Sequence, residues 1–458
     1  MIHSALRPAV FVRQQRRALR SSDKSVGLSL MLKKLEYVCA VGSIALIGAD
    51  RIDLFGGYGF FRLSPFLLFA SLVVSIQLLI IGLRGYCGAA IRPPFRRQIP
   101  YLAVLALFLL FAFASTIFGV NPQRGLVSLF DLVLVAVLGY CLSLRILADP
   151  APEKLVVRSV TFALIVWLIF CAGGYVAWTH GVMRLEDEAA SSIESLFAPT
   201  ATLLWAPRLS GVCLDSNRAG FILVMYLVLL DRFAAKTRYT RFLRFATGFF
   251  ILLAMSRSAM LCWFAYYVFS AAFWRRLATP RAAFKLAAVA MVCLLIGLAY
   301  RKEIAGLLEL WQVSDIVSDR LSGEQGTSGG EHIELIRRGF ETWSNSPRTV
   351  VAGIGFAGAP RVLGDIFGDS KYGNFHDLYV SVLAELGLPA FLLLMILLGY
   401  PMVGRRDAAS CIAAIAIFNV FLQSYMEPLF WVALALVWSF EPTRRKLRMS
   451  TSDGAPTL

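Results

Sequence analysis

Apolar runs alternate along this chain with short clusters of charge. A hydrocarbon core of about 30 Å takes about 20 apolar residues per helix, and fewer where flanking side chains snorkel. On that scale the pattern predicts about twelve helices, near 36–49, 60–81, 100–119, 125–146, 155–177, 211–230, 245–256, 259–275, 284–299, 377–400, 409–425 and 428–440. The seventh and eighth are short and separated by little more than Ser256 to Ser258, so a tight hairpin and one unbroken helix are both open. The expected fold class is all-α, a polytopic integral membrane protein. Its organisation reads as a basic tail at 1–35, membrane helices within 36–300, a long loop at 301–376, further membrane helices within 377–440 and a second tail at 441–458.

Composition places the chain outside the soluble range, at 58% hydrophobic, 16% charged and a mean hydropathy of +0.68. A net charge of +16 would suit nucleic acid. The basic residues, however, fall in short clusters between apolar runs, as a cytoplasmic-face bias distributes them, so nucleic acid is not an expected partner. With the N-terminus inside, the cytoplasmic segments collect Arg7, Arg13, Arg16, Arg17 and Arg20, then Arg92, Arg96 and Arg97, the loop between the sixth and seventh runs, Arg405 with Arg406, and the basic triplet at 444–446. Both ends are then cytoplasmic, and the hydrophilic loops at about 178–210 and 301–376 face outward. In a bacterial inner membrane, outward means the periplasm.

The eight cysteines form no CxxC pair and nearly all lie inside apolar runs, so they read as packing residues. The acidic triplet Glu186, Asp187 and Glu188 reads as a solvated loop. Gly353, Gly355 and Gly358 spell GxGxxG, but no strand–helix unit surrounds them, and they read as a loop permitting close backbone approach. No metal and no cofactor are expected.

Candidate chemistry concentrates between Pro347 and Gly387, where glycines, charges and one histidine precede an apolar run. His376 sits at the mouth of that run, where a side chain can meet water and substrate while a rigid helix holds it. A histidine merely capped at a helix start is the alternative. Asp377, or Glu385 about two turns along, either orients the ring or complements the helix dipole. Arg257 lies among apolar helices, a costly place unless the charge is paired, faces a watery cavity or snorkels. Arg208 and Arg218 flank the start of the sixth run. These arginines sit where the positive-inside rule disfavours them, which suggests an anionic ligand. Before His376, the stretch EHIELIRRGFETW has helical periodicity with Ile333, Ile336 and Phe340 on one face, so a small folded lid is expected within the long loop. His332 lies in that lid; His3 and His180 have nothing around them to recommend them.

Four stretches in this order, RLSGVCLDSNRAG, SRSA at 256–259, HIELIRRGFETWSNSPRTVVAGIGFA and FHDLYVSVLAELGLPA, resemble the O-antigen ligase and O-antigen or exopolysaccharide polymerase superfamily of bacterial inner-membrane glycosyltransferases. The resemblance implies transfer of a glycan from an undecaprenyl diphosphate carrier to an acceptor hydroxyl in the periplasm. It makes His376 the family histidine, Arg257 the arginine of the SR motif and Arg208 the arginine before the sixth span. Many members have an arginine opening the lid helix; here His332 stands there, so Arg337 or Arg338 is the candidate for the second diphosphate contact. Asp377 follows the histidine where members have an uncharged polar residue. These departures favour a polymerase over a ligase that delivers the glycan to lipid A core. Implied partners are the lipid-linked glycan, a glycan or lipid A core acceptor and membrane lipids, with a chain-length regulator among the candidates. A transporter of the same lipid-linked sugars is the non-enzymatic alternative, disfavoured by the lack of an internal repeat.

Overall fold

The last helix of the bundle, Pro428–Trp438, has no exposed face. Its sequence PLFWVALALVW is apolar all round, as suits a helix enclosed by protein or lipid, and here protein encloses it. It packs against the helices that span 122–148, 216–233 and 406–418. In this computed structural model the described residues are 28, 30–52, 64–86, 98–184, 192–203, 206–270, 328–368, 373–402 and 406–439. The expected helix at 284–299, the acidic triplet at 186–188, the first 27 residues of the basic tail and the second tail at 441–458 lie outside them.

In chain order the helices are α1 (30–45), α2 (Pro65–Tyr86), α3 (Ile99–Ile117), α4 (Pro122–Ala148), α5 (Pro152–Thr179) and the short α6 (Ile193–Phe197). A two-residue antiparallel pair, β1 (Thr202–Leu203) and β2 (Ala206–Pro207), follows. Then come α7 (Ser216–Phe233), α8 (Arg238–Leu253), α9 (Arg257–Val268), α10 (Ser328–Ser344), α11 (Pro347–Ala352), α12 (Ala359–Phe367), α13 (Leu378–Gly399), α14 (Arg406–Phe418) and α15 (Pro428–Trp438). Each expected segment within the described residues contains a helix, but the one expected at 409–425 ends at Phe418 and gives way to turns. Among the described residues, five stretches are long and apolar enough to cross a membrane: Pro65–Gly82, Ile99–Ile117, Pro122–Ala148, Pro152–Thr179 and Leu378–Met402.

α15 packs on α4, α3 on α13, and α9 on α14. Large aromatics fill the joins. Phe108 meets Trp431, Tyr101 lies between Tyr140 and Trp438, and Phe221 stacks on Phe418 with centroids 4.4 Å apart. The described cysteines are free, and all but Cys141 are buried, as packing residues should be.

Two open points are decided here. Residues 238–268 form two helices, because Met255 takes a left-handed backbone (φ 47°) and Ala254–Ser256 turns the chain. Arg244, in the second turn of α8, and Tyr266, near the end of α9, both reach Asp231 at the end of α7, so α8 and α9 form a hairpin beside it. In the lid, Ile333 and Phe340 of α10 face outward, at 61% and 45% exposed, while Ile336 packs at the edge of the face toward α13. The packed face carries Leu335 and Gly339 instead. A Cβ on Gly339 would lie 2.3 Å from the Val380 side chain, so the missing side chain lets α10 approach α13 closely.

Candidate functional site

α13 is kinked within its third turn, and the kink builds one wall of the site. Pro389 has no N–H to give the Glu385 carbonyl, and Gly387 breaks the helical geometry (φ 81°, ψ 177°). The Glu385 carbonyl is satisfied from elsewhere, by Gly355 N–H at 2.9 Å and Ser115 Oγ at 2.7 Å, while Ile354 N–H donates to the Ala384 carbonyl at 2.9 Å. The glycine loop at 353–358 is thus the donor strip for a broken helix. It reaches that helix only because side chains are absent: a Cβ on Gly353 would lie 2.2 Å from the Glu385 oxygen. Glu385 itself is buried and accepts from Ala359 N–H at 3.1 Å, so it holds this loop to α13. Gly353→Ala (φ 67°) is expected to destabilise the protein by about 2–5 kcal/mol, from left-handed strain plus overpacking. A thermal melt of the purified protein in detergent checks this; an unchanged midpoint would contradict the loop's role.

One turn before α13 stands His376, in a left-handed backbone (φ 57°) with its N–H donating to Asn374 Oδ1 at 2.7 Å. Leu378 N–H donates to the Asn419 carbonyl at 2.9 Å, tying the same loop to the end of α14. The imidazole meets His332 of α10 edge-on, with centroids 4.5 Å apart, and its Nδ1 is buried with no hydrogen-bond partner. Burial, and then the neighbouring His332, lower the His376 pKa from 6.5 to about 4. Asp377 does not orient the ring. It is the N-cap of α13, accepting from Val380 N–H at 2.8 Å, and burial raises its pKa against the pull of those backbone bonds.

The arginines divide into two kinds. Arg208 Nη2 donates to Asn217 Oδ1 at 3.1 Å, and the same oxygen accepts from Ser256 Oγ at 2.9 Å. Arg208 Nε reaches the Ala254 carbonyl at 3.4 Å. Arg257 comes next in the chain and is exposed in the first turn of α9, whose N-terminus is capped by Ser256. Arg208 and Arg257 therefore flank one helix break, at a helix end whose dipole also favours an anion. Arg218 differs: it pairs with Asp50 and with Glu427, the latter at 2.5 Å, and so joins α7 to the turn after α1 and the loop before α15. Arg337 and Arg338 pair with Glu334 and Glu341 of their own helix. His332, rather than either arginine, touches His376. Hydrogen bonding from Arg337 holds the Glu334 carboxyl below its ordinary pKa.

Arg208, Arg218, Arg257 and His376 lie at the same end of the bundle. Phe221, a turn beyond Asn217, stacks on Phe418; Asn419 then holds the His376 loop, and Glu427 holds Arg218. α9 runs down α14 from this end, with Cys262 Sγ donating to the Ala414 carbonyl. Among the described residues, the non-glycine residues with positive φ are Met255, Ala357 and His376, each in a loop beside this region. Strain of that kind persists where surrounding structure enforces it, commonly at functional sites.

Two positioning residues escape a reading of the sequence. Arg51, buried, donates to the carbonyls of Cys213 at 2.8 Å and Ala198 at 2.7 Å and to Ser210 Oγ at 2.9 Å, fixing the segment that carries Arg208. Its signal was the same as that of Arg208, an arginine at the outer end of an apolar run. Asn217 had a weaker one, the Asp-Ser-Asn start of a helix.

Residues 242–395 match the family model described as O-antigen ligase. The match takes in Arg257, His332, Arg337, Arg338, His376 and Asp377, and leaves out Arg208 and Arg218. No curated protein matches the chain.

Proposed function

From the premise that residues 242–395 carry the O-antigen ligase domain, which puts this membrane protein with the O-antigen ligase and polymerase superfamily, we propose that it moves a glycan from undecaprenyl diphosphate to an acceptor hydroxyl without a metal. The observation that carries this reading is the convergence, at one end of the bundle, of an uncharged histidine in a strained loop with two arginines around a helix N-terminus. His376 accepts the proton of the attacking hydroxyl as that oxygen bonds to the anomeric carbon. The bond from that carbon to the phosphate oxygen breaks, and the diphosphate leaves on its lipid. Arg257 and Arg208 meet the charge that develops on it, by hydrogen bonds aimed at the leaving oxygens. Arg218, Arg337 and Arg338, each already engaged by carboxylates, hold the bundle and the lid together in this reading. His332 supports His376 by keeping its ring uncharged.

The site faces the periplasm of a bacterial inner membrane, with both termini cytoplasmic, on the distribution of lysine and arginine. The preferred acceptor is a second lipid-linked glycan, as in a surface-polysaccharide polymerase; lipid A core is the alternative. The test is to give purified protein, in chelator, an undecaprenyl-diphosphate-linked oligosaccharide alone and then with lipid A core. A ladder in the first supports the polymerase, product only in the second supports the ligase, and no product in either would sink the proposal.

The low pKa of His376 sets the pH dependence. The base is active when neutral, so activity is retained above its pKa and lost below it. For the free enzyme kcat/KM is expected to stay level from about pH 8 to pH 5.5 and to fall only as pH approaches about 4. A limb centred near 6.5, the value of an ordinary histidine, would contradict the buried geometry.

A further inference from the structure

The end of the bundle remote from His376 holds a cleft that glycan transfer does not use. α4 begins at the site, where Gly125 packs on the Phe356 carbonyl, and ends at Ala148, about 35 Å away. α1 runs in the reverse sense, from Lys33 at the far end to the turn where Asp50 meets Arg218. Between the start of α1 and the α4–α5 corner lies an open cleft of about 450 Å³.

Its floor is a closed ion-pair network. Glu36 and Asp149, both buried, hold Arg145; Glu36 also accepts from Gln77 Nε2 at 3.0 Å, and Asp149 from Ala151 N–H at 2.7 Å. Both carboxylates are thereby engaged below. Around the opening stand Lys33, Lys154 and Arg158, all exposed, and among the described residues none of them meets a carboxylate. Arg158 lies over the Tyr37 ring, 5.7 Å from its centroid, and donates to the Tyr37 hydroxyl at 3.3 Å. Three cations converging on a concave surface whose acids are already bound form a receptor for an anion.

The setting selects a lipid. α1, which supplies Lys33 and Tyr37, carries an outward apolar row in Met31, Leu35 and Val38, at 67%, 48% and 62% exposed. A headgroup held by the three cations would have its acyl chains beside that row. The sequence before α1 adds Arg7, Arg13, Arg16, Arg17 and Arg20, the polybasic pattern that anionic leaflets attract. We propose that this cleft binds the phosphate headgroup of an anionic phospholipid, bridging α1 to the α4–α5 corner.

The experiment places the full chain in nanodiscs of phosphatidylcholine with a minor fraction of phosphatidylglycerol and counts retained lipids by native mass spectrometry. Wild type is expected to retain phosphatidylglycerol, and a Lys33→Gln, Lys154→Gln, Arg158→Gln triple variant to lose retention at least tenfold. A control triple at the same end but outside the cleft, Lys236→Gln, Arg238→Gln and Arg241→Gln, is expected to keep it. Equal loss in both triples, or loss in neither, overturns the proposal. The single variants Lys154→Gln and Arg158→Gln are read in parallel, so a triple that fails to fold leaves their partial losses, or the lack of them, to decide. Displacement of the lipid by inorganic phosphate at millimolar concentration would reassign the cleft to a soluble anion and overturn the lipid assignment. None of these variants touches the proposed transfer site, so the result stands whether or not transfer is observed.

Discussion

His376→Ala is expected to lower glycan transfer by between about 10² and 10⁴-fold while the protein still inserts and folds. The magnitude is that of losing a positioned general base. The sparing of the fold follows from what holds this loop: backbone N–H groups of His376 and Leu378 bond to Asn374 and Asn419, and Asp377 caps α13. None of these bonds uses the imidazole. The left-handed backbone at 376 carries the Cβ penalty for alanine as it does for histidine, so the change adds little strain there. The measurement is initial transfer rate on protein whose thermal midpoint matches wild type, and a rate within threefold of wild type would remove His376 from the chemistry.

Arg257→Ala is expected to cost about 10² to 10³ in transfer rate, the usual effect of removing one donor aimed at developing charge. Arg257→Lys should recover only part of it, because an ammonium offers a point charge without the planar fork that pairs with phosphate oxygens. The guanidinium is exposed at the first residue of α9, and the cap of that helix comes from Ser256, so the helix survives either change. Arg218 makes the contrast. Its loss leaves Asp50 and Glu427 without their cation, at about 3 kcal/mol or more, so Arg218→Ala should act first through a lowered melting midpoint. Loss of activity at Arg257 with an unshifted midpoint, set against a shifted midpoint at Arg218, separates anion recognition from structural pairing.

The helices were legible because a 20-residue apolar run is a direct consequence of bilayer thickness, and His376 and Arg257 stand out as candidates because polar groups at the edges of such runs are rare. What sequence could not show was pairing across distance. Arg208 and Arg218 look alike as neighbours at one helix start, yet it takes the fold to bring Asp50 and Glu427, from opposite ends of the chain, onto Arg218. Arg337 and Arg338 differ, since their partners Glu334 and Glu341 lie three and four residues away on the same helix, a pairing already written in the sequence. The same limit hid the function of the glycine loop. Gly355 is needed because Pro389, far along the chain, leaves the Glu385 carbonyl without a donor. The packing of α10 on α13 rests in part on Gly339, which offers no apolar side chain for a periodicity to count.

The central claim is that the site at the His376 end breaks the bond between glycan and lipid diphosphate. The most direct measurement is the amount of free undecaprenyl diphosphate released when purified wild-type protein and His376→Ala are each given the undecaprenyl-diphosphate-linked oligosaccharide in the presence of acceptor and chelator. The expected result is release by wild type in proportion to glycan transferred, and almost none from the variant. Recovery of the donor intact from wild type, or equal release by both proteins, would contradict the account.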